Sequence, residues 1–358
     1  MPSLLRRCTA ILLAAIPAAL ATAQPATPTF SNIQYGDGQP AQVLDIYIPP
    51  GTAPDAARPC IVFIHAGGWS GGDKNAAAAK VPALAGLGFV VVGINYRLSG
   101  VATHPAQIHD CKAAIRHIRA NAAAYRVDPD RIGVWGSSAG GHLVALVGTS
   151  GDVPPLEGTV GGNATFAGPV QAVADYFGPS EFLSITDPAH TACNSPESAM
   201  LGVCLGNVIA NIGNPAFAQQ VALVRQASPT THVTSNDPPF YIAFGTADPV
   251  VQPQQNVILY NDLIAAGVPA AIRAVQGAGH GLAPLEDVAT RKFLARTLGV
   301  PLCPADWNAN GIATVQDIFD FLSAYFGNLP SADINFSGAL GTQDLFDFLA
   351  AYFAGCAG

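Results

Sequence analysis

The chain has 358 residues, of which 50% are hydrophobic and 11% are charged, and its formal net charge is −8. This length can hold one large domain and a small one, with enough apolar side chains for an extensive core. Because the net charge is negative, we do not expect nucleic acid or an anionic membrane surface to be the main partner.

The first 23 residues have the composition of a secretory signal peptide. Arg6 and Arg7 precede an apolar run at residues 11–20, and small residues close the segment at Ala23. A membrane anchor is the alternative, but this run is shorter than the roughly 20 apolar residues of a spanning helix. No later stretch of the sequence qualifies as a span, so we expect an exported protein, either extracellular or periplasmic.

Six cysteines follow the signal peptide, and export would place them in an oxidising compartment. Two of them lie close together in a Ser/Pro/Asn-containing segment, and two others bracket the C-terminal segment. Of the remaining two, Cys60 opens a predicted strand and Cys111 lies early in the helix after the next strand. In a parallel sheet these positions fall toward opposite ends, too far apart to be bridged. We therefore expect the disulfides Cys193–Cys204 and Cys303–Cys356, and buried free thiols at Cys60 and Cys111.

Strand and helix patterns alternate between residues 24 and 299. Alternating apolar and polar residues predict two edge strands, and continuous apolar runs predict strands that are buried on both faces. Such alternation is typical of an α/β domain, with a mostly parallel sheet and helices on both faces. The predicted strands are Thr29–Tyr35, Ala41–Ile48, Cys60–Ile64, Phe89–Ile94, Arg131–Trp135, Val170–Tyr176, Pro239–Phe244 and Ala270–Val275, and the predicted helices are Pro105–Tyr125, Pro253–Ala266 and Glu286–Leu298.

The alternation lapses between residues 178 and 236, where the chain is rich in Pro, Ser and Asn. A long insertion over a scaffold of this kind can form a cap above a substrate. It can equally be an inert surface excursion, and the sequence leaves both interpretations open.

A serine stands at the centre of the pattern Gly136-Ser137-Ser138-Ala139-Gly140, directly after a predicted buried strand and before a helix. A serine on a sharp strand-to-helix turn needs small neighbours, because larger side chains would collide where the backbone doubles back. The turn would lift the Ser138 hydroxyl above the sheet, near the positive end of the following helix. Ser138 is therefore the candidate nucleophile.

A serine hydroxyl becomes a strong nucleophile only when an imidazole accepts its proton and an acid orients that imidazole. In an open α/β sheet such groups meet beyond the carboxyl ends of the strands. Asp248 and His280 each follow a late predicted strand, and the order Ser, Asp, His is one that occurs in hydrolases. Asp175 and Asp237 compete for the role of the acid, but Asp248 has the better position.

Glycines also follow the first buried strand, in the run His65-Ala66-Gly67-Gly68-Trp69. Ester or amide hydrolysis needs N–H donors for the oxyanion of the tetrahedral intermediate. Glycine lets the backbone approach a substrate closely. We expect the oxyanion hole to be formed by the backbone N–H groups of Gly67, Gly68 and Ala139, although a plain glycine turn is the alternative for the first two.

Together with Asn95-Tyr96-Arg97-Leu98 and Gly279-His280-Gly281, these motifs resemble the α/β-hydrolase fold over residues 40–299. More narrowly, they resemble the esterases related to hormone-sensitive lipase and the bifunctional acetylxylan/feruloyl esterase-like proteins. Ala66 departs from the family pattern, which usually has a glycine there. The resemblance implies a serine carboxylesterase that needs no cofactor for catalysis.

The resemblance and the predicted export favour acetyl or feruloyl esters of plant polysaccharide as substrates. Three alternatives are an arylformamidase-like amidase, a lipase or esterase for small soluble esters, and an inactive adhesion or scaffold module. The last would be expected to lack a member of the catalytic triad, but all three residues are present.

Residues 300–358 contain a repeat with a constant offset and no Lys or Arg after Pro301. Oxygen-bearing side chains occur at calcium-loop positions, with glycine at the sixth position, and each loop leads into a predicted helix. A helical hairpin with merely polar loops is the alternative. The candidate Ca²⁺ ligands are Asp306, Asn308, Asn310, Thr314 and Asp317 in the first loop and Asp333, Asn335, Ser337 and Asp344 in the second.

The duplicated pattern resembles type I dockerin repeats and predicts a small all-α, EF-hand-like domain. The resemblance implies a cohesin-like docking partner. We interpret the aromatic run Phe319, Phe321, Tyr325 and Phe326 as the core of this small domain rather than as a binding surface.

Overall fold

The structure is a computed structural model and describes residues 26–166, 168–332, 334 and 340–356. The predicted signal peptide, residues 1–23, lies outside these ranges. Within them, every helix is too short or too polar to cross a lipid bilayer.

Eight strands of the described chain form one mixed sheet in the order β1-β2-β4-β3-β5-β6-β7-β8. The first two pairings, β1 with β2 and β2 with β4, are antiparallel. The other five pairings are parallel, so the prediction of a mostly parallel sheet is confirmed and the antiparallel part is confined to one edge. The strands are β1 Phe30–Gln34, β2 Val43–Tyr47, β3 Arg58–Ile64, β4 Val90–Ile94, β5 Val127–Ser137, β6 Ala172–Tyr176, β7 Phe240–Gly245 and β8 Ala270–Val275.

Helices cover both faces of the sheet. The helix predicted for residues 105–125 is divided at Asn121 into α2 and α3. The α-helices of the described chain are α1 Val81–Gly86, α2 Ala106–Ala120, α3 Ala122–Tyr125, α4 Ala139–Thr149, α5 Pro188–Thr191, α6 Pro196–Leu201, α7 Leu205–Ala210, α8 Ala218–Ala227, α9 Gln254–Ala265, α10 Asp287–Thr297, α11 Val315–Phe326 and α12 Thr342–Ala354. Short 3₁₀ helices span Lys74–Ala79, Pro154–Leu156, Phe182–Ser184, Pro215–Phe217, Pro229–His232, Pro284–Glu286 and Pro330–Ala332.

The core consists of two apolar layers, one on each face of the sheet. Helices α2, α4 and α9 pack on one face, where Ile115, Leu143 and Leu259 are fully buried. Helices α1 and α10 pack on the other face, through Leu84 and Leu294. The strand sequences are apolar on both faces because both faces are covered. The free thiols of Cys60 and Cys111 are buried in the first layer.

The insertion at residues 178–236 folds into the short helices α5 to α8, with 3₁₀ turns between them. Its apolar side chains join the first core layer, among them Met200, Leu205 and Val224. A disulfide links Cys193 to Cys204 across the first half of the insertion. The segment is thus a packed part of the main domain. We call residues 178–236 the cap.

The C-terminal helices α11 and α12 pack against each other through the stacked rings of Phe321 and Phe348, whose centroids are 4.2 Å apart. Cys303 is bonded to Cys356, so this segment is closed by a disulfide. Val288 of α10 belongs to the same apolar cluster. The small C-terminal core is therefore continuous with a helix of the main domain.

The interpretation of the aromatic run as core is wrong for two of its members. Phe321 is buried and Tyr325 is half-buried, but Phe319 is 58% exposed and Phe326 is 78% exposed. Residues seven positions apart lie on the same side of an α-helix, so Phe319 and Phe326 share the face opposite Phe321.

The first C-terminal loop contacts the main domain closely. Arg291 of α10 donates hydrogen bonds to the backbone carbonyl oxygens of Asn308 and Ala309. A Cβ atom on Gly86 would lie 1.8 Å from the carbonyl oxygen of Asn310, so a side chain at position 86 would separate the two surfaces. The conformation of this loop is therefore tied to helices α1 and α10.

Candidate active site

The turn at Ser138 has the sharp geometry that the sequence predicts. Strand β5 ends at Ser137 and α4 begins at Ala139, while Ser138 itself has φ 55° and ψ −122°. Such a conformation is rare for a residue with a Cβ atom and is held only when the surroundings require it. A Cβ atom at Gly136 would lie 2.3 Å from the Gly140 oxygen, and one at Gly140 would lie 2.1 Å from the Ile64 oxygen.

The structure brings Ser138, His280 and Asp248 together in one hydrogen-bonded chain. His280 Nε2 is 3.0 Å from Ser138 Oγ, and His280 Nδ1 is 2.8 Å from Asp248 Oδ2. Because a carboxylate only accepts, Nδ1 carries the proton and Nε2 is free to accept the serine proton. This is the arrangement of a nucleophile, a general base and an orienting acid.

Burial and backbone contacts orient the acid and the base. The Asp248 side chain is 1% exposed, and its Oδ1 accepts hydrogen bonds from the backbone N–H groups of Val250 and Val251. The ring of Phe177 packs edge-on against the His280 imidazole, with the centroids 4.7 Å apart. Phe177 follows β6 with φ 43°, and sequence reasoning did not identify it.

The two competing acids lie elsewhere. Asp175 is on β6 under the serine turn, where its Oδ1 accepts from the Gly178 N–H group and burial raises its pKa to about 7. Asp237 binds Thr234 in the turn before β7. Neither is hydrogen-bonded to His280 in the part of the chain that the structure describes, so the geometry favours Asp248.

The proposed oxyanion donors lie beside the serine turn. Strand β3 pairs in parallel with β5, with Ile64 opposite Gly136, and the loop that follows β3 contains Gly67 and Gly68. Both glycines have positive φ, 122° and 55°. A Cβ atom at Gly67 would lie 2.3 Å from the Gly71 oxygen. Ala139 is the first residue of α4, where backbone N–H groups have no partner within the helix.

A buried contact that the sequence analysis missed links the glycine loop, the nucleophile helix and the cap. His142 of α4 accepts a hydrogen bond at Nδ1 from Trp69 Nε1, 3.1 Å away, and donates from Nε2 to the Ala227 carbonyl oxygen. Phe182 of the cap packs edge-on against the His142 ring. Trp69 closes the quoted run of residues 65–69 and His142 follows Ser138 by four residues, but the sequence does not show that both rings pack against Phe182.

The pKa of His142 is lowered to about 4, chiefly by burial. The unfolded chain binds this proton with the ordinary pKa of about 6.5, so between pH 6.5 and 4 the unfolded state carries more protons than the folded state. The contribution of His142 to stability is therefore complete above pH 6.5. It decreases by about 1.4 kcal/mol per pH unit as the pH falls toward 4.

We expect a His142→Gln variant to lose this pH dependence. Urea unfolding of wild type and variant at pH 7, 6 and 5 should show the difference in free energy of unfolding shrinking by about 1.4 kcal/mol per unit below pH 6.5. Circular dichroism at pH 7 controls for the fold of the variant. If the free energy of unfolding changed equally with pH in the two proteins, the lowered pKa of His142 would be contradicted.

The calcium ligands predicted in the C-terminal repeat are only partly described. Asp333, Asn335 and Ser337 of the second loop lie outside the described residues, whereas Asp344 accepts from the Ile334 and Gly341 N–H groups. Both carboxylates of the first loop accept hydrogen bonds from that loop's own backbone: Asp306 from Asn310 and Gly311, and Asp317 from Asn308 and Thr314.

Across the described ranges, no group of three or more His, Cys, Asp or Glu side chains could hold a metal ion. The first loop has only two carboxylates among its candidate ligands, and its other candidates are neutral.

Comparison with known proteins identifies relatives of the main domain. Esterase LipQ of Mycobacterium tuberculosis is 33% identical over 63% of this chain and 50% of its own length. LipM of the same organism, described as a probable carboxylic ester hydrolase, is 29% identical over 74% of this chain and 60% of its own length. The chain thus spans about half to three fifths of these relatives.

A solved structure described as a truncated carbohydrate esterase from gut microbiota has the same fold, with a TM-score of 0.67. It is 32% identical, and the match covers 77% of this chain and 99% of the other. The model of the BD-FAE family matches residues 44–263, which include Ser138 and Asp248. The esterase relatives, the structural neighbour and the family match together support carboxylic ester hydrolase activity. With the α/β-hydrolase sheet and the match over more than half of its length, the chain belongs to the BD-FAE family.

Proposed function

We propose that the protein is a secreted serine carboxylesterase that removes acyl groups from esterified carbohydrate. Acetyl and feruloyl esters of plant polysaccharide are the proposed substrates. The single observation that carries the proposal is the hydrogen-bonded chain from Ser138 through His280 to Asp248. Support for a carbohydrate substrate comes from the structural neighbour described as a carbohydrate esterase.

In the first half of the reaction, Ser138 Oγ attacks the ester carbonyl carbon while its proton passes to His280 Nε2. The carbonyl oxygen becomes an oxyanion, which the N–H groups of Gly67, Gly68 and Ala139 stabilise. When the tetrahedral intermediate collapses, the bond to the alcohol oxygen breaks. The alcohol takes the proton from His280 and leaves an acyl group on Ser138.

In the second half, His280 removes a proton from a water molecule that attacks the acyl carbon. A second tetrahedral intermediate collapses, Ser138 recovers its proton, and the carboxylic acid departs. Asp248 accepts the hydrogen bond from His280 Nδ1 and stabilises the imidazolium that forms in each step. The nucleophile, the base, the orienting acid and the oxyanion donors of this cycle all come from the chain.

The substrate proposal is tested with acetylated xylan and with synthetic esters. We expect the full chain to hydrolyse p-nitrophenyl acetate and to release acetate, measured enzymatically, from acetylated xylan. Release of ferulate from a feruloylated oligosaccharide tests the second acyl group. Hydrolysis of formylkynurenine in preference to all of these esters would instead favour the amidase.

We also propose that the first C-terminal loop binds Ca²⁺. In this loop the Oδ1 atom of Asn308 is buried and has no hydrogen-bond partner among the described residues. Asp306 and Asp317 of the same loop are 4% and 0% exposed. A buried acceptor in the same loop as two buried carboxylates fits an oxygen-binding cation, and Asp306, Asn308 and Asp317 would hold it.

Calorimetry of the full chain with calcium chloride tests this proposal. The low number of carboxylates predicts weak binding, with a Kd of roughly 0.1 to 1 mM. We expect the heat of binding to disappear in the Asp306→Ala plus Asp333→Ala variant. Absence of binding by the wild type would contradict the proposal.

A cohesin-like protein is the proposed partner of the C-terminal repeat. Phe319 and Phe326 on α11, and Phe346 and Phe353 at the equivalent positions of α12, are all more than half exposed. Exposed apolar patches of this kind are typical of protein-binding surfaces. Titration of a type I cohesin module in calcium and again in EGTA tests the proposal, and absence of binding in both would contradict it for that module.

A further inference from the structure

A carboxylate oxygen of the cap lacks a partner. Glu197 Oε2 is buried without a hydrogen bond to any described residue, and only 6% of the side chain is exposed. The other oxygen, Oε1, is 2.8 Å from His190 Nδ1. Burying a carboxylate oxygen without a donor is unfavourable, so a donor from outside the chain would complete the site.

Glu197 lines a small cavity between the cap and the loop that carries the catalytic acid. The cavity encloses about 10 Å³, close to the space that one water molecule or hydroxyl group needs. Val250 and Val251 also line the cavity, and their backbone N–H groups donate to Asp248. Glu197 therefore lies next to the acid loop of the triad.

The same cap segment contacts the proposed oxyanion loop. A Cβ atom at Gly68 would lie 3.3 Å from the Cβ atom of Pro196, the residue before Glu197. This segment is held in place by the disulfide between Cys193 and Cys204 and by the Ser195 hydroxyl, which accepts from the Ser198 N–H group. The cap segment that carries Glu197 thus lies against both the acid loop and the proposed oxyanion loop.

We propose that Glu197 accepts a hydrogen bond from a hydroxyl group on the sugar part of the substrate. Glu197 would then determine specificity for carbohydrate esters over esters of simple alcohols. A site built to bind a hydroxyl group discriminates strongly against an analogue that lacks it, because its own polar atom stays unpaired. This inference rests on the proposed carbohydrate esterase function and deepens it.

The test compares two acetyl esters that differ in their alcohol. The values of kcat and KM are measured with p-nitrophenyl acetate and with acetylated xylo-oligosaccharides, for wild type, Glu197→Gln and Glu197→Ala. We expect both variants to keep kcat/KM for p-nitrophenyl acetate within about twofold. For the sugar ester we expect kcat/KM to fall by about 10- to 100-fold, since the lost bond involves a charged acceptor.

Glu181→Gln is the matched control, because this cap carboxylate has partners on both oxygens, Leu183 N–H and Thr230 Oγ1. We expect it to change the ratio of the two kcat/KM values by less than about twofold. A parallel loss on both substrates, or no loss, in the Glu197 variants would overturn the subsite alone. If the wild type cleaves p-nitrophenyl acetate but no sugar ester, both the subsite and the proposed substrate class fail.

Discussion

Replacing Ser138 with alanine is expected to lower kcat for p-nitrophenyl acetate by about a millionfold, to near the limit of detection. In the proposed mechanism the Ser138 hydroxyl oxygen forms the acyl-enzyme, and the remaining oxyanion donors cannot supply a nucleophile. Residual hydrolysis above the rate in buffer would reflect those donors and substrate binding. The measurement is release of p-nitrophenol at saturating substrate, with an enzyme-free blank.

Ser137→Ala is the matched control, since Ser137 is the adjacent serine at the end of β5 and is not hydrogen-bonded to His280 among the described residues. We expect it to retain kcat within about tenfold. Equal rates in wild type and Ser138→Ala would rule out the serine mechanism. Thermal unfolding of both variants distinguishes loss of chemistry from loss of fold.

Replacing Asp248 with asparagine is expected to lower kcat by about 10⁴-fold while the fold is retained. The Asn oxygen can still accept from the N–H groups of Val250 and Val251, which hold the loop. Its amide group would donate to His280 Nδ1, so the imidazole proton would move to Nε2. That tautomer cannot accept the proton of Ser138.

Asp237→Asn is the control for this experiment, because Asp237 is one of the alternative acids from the sequence analysis. In the structure it accepts hydrogen bonds from Thr234 instead. We expect kcat to stay within about threefold of the wild type. A full loss in Asp237→Asn with activity kept in Asp248→Asn would mean that the wrong acid has been assigned. The pH dependence of kcat/KM in the active variants checks that the base is unchanged.

Much of the fold follows from local sequence patterns. Buried parallel strands read as continuous apolar runs because both faces are covered, and this pattern located the central strands. The limits of the long helix before Ser138 were harder to predict, because α2 and α3 are divided at Asn121 although apolar residues continue through both. Helix ends depend on local capping and contacts that periodicity does not report.

The C-terminal aromatic run shows where pattern reasoning fails. An aromatic side chain on a short amphipathic helix is interior or exterior according to its angular position and to what lies opposite it. Phe321 faces Phe348, whereas Phe319 and Phe326 face outward. Composition could not make this distinction. The angular position of each residue around the helix relative to Phe321 would have made it.

The sequence by itself determined which residues could carry the chemistry, because a serine turn, glycine loops and strand ends each have local requirements that leave a mark on neighbouring residues. Only the tertiary structure decided which acid meets His280 and how Trp69, His142 and Phe182 join the cap to the nucleophile helix. It also decided which oxygen of Glu197 lacks a partner. These contacts join residues far apart in the chain, and their existence depends on side-chain distances that no local pattern encodes.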